Sequence, residues 1–392
     1  MIWKPYSGHK PSRGDEMTFS CPIWPPQWPE IGSKLQESIL SGDWGRYKSA
    51  AHEELRGQIA SLSQCSHVRL MGSGSAAIEM ALRTVGIGAG DEVILSAFDF
   101  PGNIRAIEAT GATPVLVDVR PESLQLDLEM VQDAKSDRIK AVIASHLYGT
   151  FAPVGPLREI CDHYGWQLVE DACQCPGSVA HGRPAGSWGN LAALSFGGSK
   201  PLCAGNGGAL LSNDRRMEAK WNATLDRPSD TQPLSGLQAT VLLPQLSRLR
   251  EMNRQRWQTA IELQTLSSEL GDVRWLSELP GAAEGPQDAK GQSDPSDVCE
   301  IQCSITHYKV AWLAKDSFIR DRVVRRAGEM GIPVGPAFRS MDRCSPKRCR
   351  KPFALPESRK LSECGFVLDH SALLAEGENR RLLVEAIASL LN

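Results

Sequence analysis

Short runs that are apolar at every position alternate with segments whose apolar residues recur three or four apart. This alternation limits the fold more than any other feature. A strand that is apolar throughout has to be covered on both faces, because a strand with one wet face alternates polar and apolar residues. The spacing of Ile78, Ala81, Leu82 and Val85 predicts a helix over 75–85. Gly86-Ile-Gly-Ala-Gly90 then breaks the chain, and Val93-Ile94-Leu95 follows as a buried strand. The same reading gives helices over 103–110, 126–134 and 156–164. It gives strands over 114–119, 141–144 and 167–169. The predicted class is α/β, a mostly parallel sheet flanked by helices on both faces. Right-handed crossovers would then set the strand C-termini, and any ligand site, along one edge.

A chain of 392 residues is long enough for more than one domain. After about Arg227 the pattern changes. A long helix over about 237–264 carries Leu242, Leu243, Leu246, Leu249 and Met252. Residues 281–296 read as a loop. A strand near 301–310, a helix over 317–330 ended by Gly331 and a last helix over 378–391 complete a smaller α+β unit. The expected division is an N-terminal extension (1–22), a large domain (23–240) and a small C-terminal domain (241–392). The first 17 residues are polar and lack the apolar middle of a secretory signal. They read as a floppy extension, with Met17 as an alternative start.

A net charge of −3 gives no case for nucleic-acid binding, and no apolar run is long enough to cross a bilayer. The expectation is a cytoplasmic protein. Its eleven cysteines are scattered and read as reduced, partly buried thiols. Cys344 and Cys349 suggest zinc only weakly, since no second ligand pair stands at finger spacing. No metal is expected.

Lys200 is the charge most in need of explanation. It lies between the apolar runs 191–194 and 207–211, in Ser195-Phe-Gly-Gly-Ser-Lys200. Upstream, Asp171 ends an apolar strand. A lysine able to form a Schiff base and an aspartate able to hold a pyridinium nitrogen together point to pyridoxal phosphate. A free lysine is a poor nucleophile at neutral pH, so such a site has to favour the neutral amine. Ser73-Gly74-Ser75-Ala76-Ala77 opens a helix and could cup a phosphate, although taken alone an ordinary serine cap is the stronger reading, since glycine–serine turns before helices are common. Ser195 adds a hydroxyl on the same approach. Phe100 could stack on a ring, though a single aromatic is more often core. Glu170 alternates with Asp171 and should face the other way.

The ordered set resembles the DegT/DnrJ/EryC1/StrS aminotransferases, sugar aminotransferases of fold type I. The stretches that carry the resemblance are 74–82, 86–93, His146-Leu-Tyr-Gly149, Glu170-Asp-Ala-Cys-Gln174, 195–200 and 207–214. The resemblance implies that Lys200 is the Schiff-base lysine and Asp171 the pyridinium partner. It sets Gln174 beside the cofactor's phenolic oxygen and Phe100 on the ring. It makes Gly74, Ser75, Ala76 and Ser195 the phosphate contacts. It also implies a homodimer with shared sites, transferring an amino group from glutamate or glutamine to a keto-sugar nucleotide. The alternatives are a keto-cyclitol or aminobenzoate-type acceptor, suggested by Val367-Leu-Asp-His-Ser-Ala-Leu-Leu374, dehydration on the same cofactor, or a regulatory descendant without activity. The intact Lys200 argues against dehydration. Four positions depart from the family pattern. Thr231 and Pro233 fall where an Asn and an Arg are expected, Asp99 where a threonine is common, and Asn206 where an acid is common. The basic stretch 339–360 reads as a solvated loop or, less simply, as a diphosphate contact.

Overall fold

A computed structural model describes residues 18–226, 230–267, 271–277 and 305–391. The expectations for residues 1–17 and for the loop 281–296 lie outside them.

The first strands are β1 (His67–Met71), β2 (Glu92–Ser96), β3 (Thr113–Val117), β4 (Ile139–Ser145) and β5 (Gln167–Asp171). A small hairpin of β6 (Val179–Ala180) and β7 (Arg183–Pro184) precedes β8 (Leu191–Ser195) and β9 (Gly208–Ser212). Seven of these form one sheet in the order β1-β9-β8-β5-β4-β2-β3. Only β9 runs against its neighbours, pairing antiparallel with both β1 and β8. The β8–β9 connection therefore turns back at the C-terminal edge of the sheet, and Lys200 rides on it.

The helices up to this point in the chain are α1 (Pro29–Ser41), α2 (Ala50–Ser63), α3 (Gly74–Thr84), α4 (Pro101–Thr110), α5 (Leu128–Asp133), α6 (Val154–Tyr164) and α7 (Arg215–Leu225). Each strand feeds two cores, which explains its unbroken apolar character. Ile94, Val142 and Leu168 face a core shared with Leu55 and Ile59 of α2 (Ala50–Ser63) and Leu157 and Ile160 of α6 (Val154–Tyr164). Their neighbours Val93, Leu95, Ile143 and Val169 face Ile78 and Leu82 of α3 (Gly74–Thr84) and Ile104 and Ile107 of α4 (Pro101–Thr110). Successive side chains point to opposite faces, so both sets have to be apolar.

The expected long helix is a single helix, α8 (Gly236–Ser267), with Pro244 inside it. Ser235 and Gln238 start it as a reciprocal cap. The Gln238 side chain accepts the Ser235 N–H at 3.0 Å, and the Ser235 hydroxyl accepts the Gln238 N–H at 3.3 Å. Leu242, Leu249 and Met252 join the first core, whereas Ala260 and Leu263 join a separate one. That separate core lies under a four-stranded antiparallel sheet ordered β10-β11-β13-β12, from β10 (Val273–Trp275), β11 (Lys309–Ala314), β12 (Val334–Pro336) and β13 (Gly365–Asp369). The strand expected near 301–310 therefore begins later, at Lys309; Ile305 to Tyr308 lead into it as irregular chain turned inward. Phe19 and Cys21 pack against this second core, and Ser20 pairs with Asn379 through two hydrogen bonds.

Candidate active site

Five segments converge at the C-terminal edge of the large sheet: the start of α3, the turn after β2, the end of β5, the end of β8 and the loop that follows it. Ser73 caps α3, its hydroxyl accepting the Ala76 N–H at 3.1 Å. The ordinary capping reading is thus true as well. The first N–H groups of a helix lack intrahelical partners and favour an anion. Gly74 lets another element come against them. A Cβ there would lie 2.7 Å from the Ser195 Cβ and 3.0 Å from its hydroxyl oxygen. Gly102 plays the same part beside Phe100 and Ser75, since its Cβ would overlap the Phe100 ring and stand 3.1 Å from the Ser75 hydroxyl. Gly74, Ser75, Ala76, Ser195 and Phe100 therefore share one pocket wall.

Lys200 is half-buried on the β8–β9 loop. Its N–H closes a turn onto the Gly197 carbonyl at 2.9 Å. Its Nζ stands 5.7 Å from the Phe100 ring centroid and 4.5 Å from the Tyr308 ring centroid. The neighbouring Ser199 hydroxyl meets the Tyr308 hydroxyl at 3.2 Å.

Asp171 is the last residue of β5 and is buried. Its Oδ2 accepts from Asn103 Nδ2 at 2.8 Å and its Oδ1 from the Cys173 N–H at 3.1 Å. Glu170 faces the opposite side, as strand alternation requires. It accepts from His146 Nε2 at 3.0 Å and from the N–H groups of Gly186, Trp188 and Gly189. Those bonds account for a fully buried carboxylate in structural terms. Gln174 is buried beside the pocket, with its oxygen accepting the Tyr148 N–H at 2.8 Å. That bond leaves the donor end of the amide for a ligand. The Tyr148 hydroxyl in turn accepts the Phe338 N–H at 2.8 Å, and Phe338 leans on Phe100.

Residues remote in sequence complete the wall. His370 stacks on Tyr308 with ring centroids 5.6 Å apart, and its Nε2 meets the Ser199 carbonyl at 3.0 Å. The buried Arg256 donates to His370 Nδ1 at 3.3 Å, which makes Nε2 the protonated nitrogen. Burial pushes the His370 imidazole down to about 3 and the Arg256 guanidinium down to about 9. Beside them, Asp369 is held below the usual carboxylate range, against the effect of burial, by Lys309 at 2.8 Å.

The departures also have clear surroundings. Gln232 accepts the Gly72 N–H at 2.8 Å, which leaves Thr231 and Pro233 exposed beside the end of β1. Asn206 is exposed, and its carbonyl accepts from Gln238. Much of the basic stretch is committed to internal bonds. Arg343 pairs with Glu363, Arg348 with Glu108, Arg350 with Glu92 and Arg359 with Asp342, and Lys351 caps the carbonyls of Asp342 and Cys344. Arg350 through Glu92 and Arg348 through Glu108 thus stitch the C-terminal segment to the large domain, while Lys351 ties that segment to itself.

Residue patterning did not reveal Asn103, Ser145, Tyr148, Tyr308, His370 or Arg256 as part of this pocket. Tyr148 and His370 had signals, the stretches His146-Leu-Tyr-Gly149 and Val367-Leu-Asp-His-Ser-Ala-Leu-Leu374. The others reach the site only through tertiary packing.

Comparison with known proteins follows from this geometry. The family model described as "DegT/DnrJ/EryC1/StrS aminotransferase family" matches residues 29–386. An L-glutamine:2-deoxy-scyllo-inosose aminotransferase of Streptoalloteichus tenebrarius is 29% identical over 95% of both chains. A dTDP-3-amino-3,4,6-trideoxy-alpha-D-glucose transaminase of Streptomyces venezuelae is 34% identical over 56% of this chain and 61% of its own. The crystal structure of 3-amino-5-hydroxybenzoic acid synthase superposes with a TM-score of 0.81 at 25% identity, covering 95% of this chain and 99% of the other.

Proposed function

The chain belongs to the DegT/DnrJ/EryC1/StrS aminotransferase family, and from that premise we propose that it passes an amino group from glutamine or glutamate to a keto-cyclitol, with pyridoxal phosphate as cofactor. The observation that carries the chemistry is the position of Lys200, with its Nζ facing the Phe100 ring on the edge where Asp171 ends β5. The residues present fit the cofactor. The start of α3, opened by the absent Cβ of Gly74, and the Ser195 hydroxyl form a cradle for a phosphate. Phe100 supplies an apolar face for a ring, Gln174 a donor for an oxygen on it, and Asp171 a carboxylate for its nitrogen.

When bound, pyridoxal phosphate supplies an aldehyde that carries the amino group and a ring that accepts electrons. Lys200 Nζ would anchor it and would take and return the proton at the substrate carbon. Asp171, fixed by Asn103 and the Cys173 N–H, would hold the ring nitrogen. Tyr308 and Phe100 flank the lysine and limit the water that reaches it.

The acceptor reading rests on two supports. A glutamine-dependent keto-inosose aminotransferase matches along nearly the whole chain, and Arg343, Arg348, Arg350 and Arg359 are held in ion pairs of their own. A substrate without a diphosphate asks nothing of these cations. A keto-sugar nucleotide is the second reading, favoured by the transaminase similar over about half the chain.

The functional unit is a homodimer. Ile39, Leu40, Trp44, Tyr47 and Leu237 are exposed apolar residues on mutually packed elements around the start of α8, next to Thr231 and Pro233. A face of this kind suits a second copy, with the 230–234 segment reaching the neighbouring site. A large domain over 23–240 and a small domain over 241–392 is the proposed division, with Leu242, Leu249 and Met252 of α8 and Met341, Cys349 and Leu355 packing back into the large domain's cores. A reducing, cytoplasmic setting fits the free cysteines.

The test is an amino-transfer assay pairing glutamine and glutamate with keto-cyclitols and keto-sugar nucleotides. The expectation is turnover of a keto-cyclitol and loss of both turnover and cofactor absorbance in Lys200→Ala. Exclusive use of nucleotide sugars would replace the first acceptor reading with the second. Full transfer by Lys200→Ala would remove the role of Lys200.

A further inference from the structure

A second buried carboxylic acid stands behind Asp171. Asp99 follows β2 and is 1% exposed. Its Oδ1 accepts the Phe100 N–H at 2.6 Å and its Oδ2 accepts the Ser145 hydroxyl at 2.7 Å. Asn103, one turn into α4, connects the two acids. Its Nδ2 donates to Asp171 Oδ2 at 2.8 Å and lies 3.0 Å from the Ser145 Oγ and 3.3 Å from both Asp99 oxygens. An amide nitrogen has two hydrogens, and four acceptor atoms compete for them. Two buried carboxyls with so few donors between them do not both ionise, and a proton stays with the pair.

We propose that Asp99 is a positioning residue for Asp171: through Asn103 and Ser145 it holds the Asp171 carboxylate in place, and it keeps a proton of its own. This rests on the reading of Asp171 as partner of the ring nitrogen. The electrostatic surroundings agree with it. Burial first, and then the charge of Asp171, push the Asp99 carboxyl up to about 7, against the Ser145, Phe100 and Asn103 donors. The other titratable groups facing the pair include the Tyr148 phenol, pushed up mainly by burial, and the thiols of Cys173 and Cys175, pushed up by burial and also by Asp171 while Lys200 opposes. None of these three gives up a proton near neutrality. Asp99 is therefore the group in this wall that changes charge there, and Asp171 feels the change through one shared amide. A threonine at position 99 would offer a hydroxyl but no second carboxyl, so the group behind Asp171 would not change charge near neutrality.

Infrared difference spectra of the cofactor-free protein, taken from about pH 5 to about pH 9, read a protonated carboxyl directly. The wild type should show an acid carbonyl band that bleaches with a midpoint near 7. Asp99→Asn and Asp99→Thr should lack it. Asp171→Asn removes the neighbouring charge and should lower the midpoint by about one unit or more. A purely structural hydrogen bond would move none of these. A folded Asp99→Asn protein that keeps the band, or an unchanged midpoint in Asp171→Asn, overturns the proposal. If neither Asp99 variant folds, the wild-type titration decides, and the absence of a band with its midpoint near neutrality overturns it. Cofactor absorbance in Asp171→Asn reports separately on the ring-nitrogen reading. Undisturbed binding there would remove that reading and leave the carboxyl pair standing.

Discussion

Gly74 and Ser195 approach so closely that a Cβ on the glycine would lie 2.7 Å from the serine Cβ. The contact presses the end of β8 against the first turn of α3, and it brings a hydroxyl to the helix N-terminus. The same imagined Cβ would stand 3.0 Å from the Cys173 sulfur, on the segment after β5. Three elements thus meet at one missing side chain.

Gly74→Ala should therefore separate those elements. Overpacking of this kind costs about 1–3 kcal/mol. The phosphate cradle would open, so pyridoxal phosphate should bind roughly tenfold more weakly or worse, about 1.4 kcal/mol of affinity. Urea unfolding and a cofactor titration followed by absorbance check the two effects.

His370 and His307 should make the fold sensitive to acid. Burial pushes His370 down to about 3 and His307 down to about 4. Unfolded, each ring titrates near 6.5. As pH falls below about 6.5 the unfolded chain takes up protons that the folded rings refuse. Stability is then lost progressively, until each folded ring itself protonates. The slope approaches ~1.4 kcal/mol per pH unit for each group. His370→Gln can still accept from Arg256 and donate to Ser199, so it should keep the contacts and lose part of the slope. Urea midpoints measured from about pH 7 to about pH 4.5 test this; equal slopes in the two proteins would refute it.

Glu92 is almost fully buried and accepts from Arg350 at 2.9 Å and from Ser136 at 2.7 Å. Arg138 also reaches Glu92, at 2.7 Å, so Arg350→Ala would leave the carboxylate with one of its two cations, at a cost of about 1–3 kcal/mol. The Michaelis constant for the acceptor should change little, because the arginine is structural. A large rise in KM with unaltered stability would instead assign Arg350 to a substrate phosphate.

Tyr47 is 99% exposed and Leu40 80%, on the apolar face around the start of α8. Leu40→Asp combined with Tyr47→Asp should dissociate the dimer without disturbing the monomer core. Light scattering should report about half the mass, and cofactor affinity should fall with it if the 230–234 segment completes the neighbouring site. A wild-type protein that is itself monomeric would end this reading.

Much of the large sheet was legible because its strands are covered on both faces. Val93, Ile94 and Leu95 are all apolar because alternate residues enter different cores. β1 escaped notice, since Arg69 interrupts its run and pairs with Asp226 and Asp230 instead of facing a core. The strand expected near 301–310 was misplaced because Ile305 to Tyr308 are buried without being a strand. Burial in an irregular segment looks the same in a sequence as burial in a sheet.

At the site, residues near strand ends and helix starts could be read in order along the chain. Lys200, Asp171, Ser195 and Gly74 each lie at or beside a boundary between an apolar run and a turn, and backbone geometry sends such positions to one sheet edge. Tyr308 packs in a core apart from those of the large sheet, His370 and Arg256 are buried polar residues, and no local pattern ties the three to Lys200. Their approach depends on how α8 docks the second sheet against the first. The pairing of Asp99 with Asp171 is of the same kind. Residues 72 apart, one just after β2 and one ending β5, come to share one amide hydrogen donor only when β4 lies between β2 and β5. Periodicity along a chain records which face is buried, whereas the identity of the neighbour across that face is settled by packing in three dimensions.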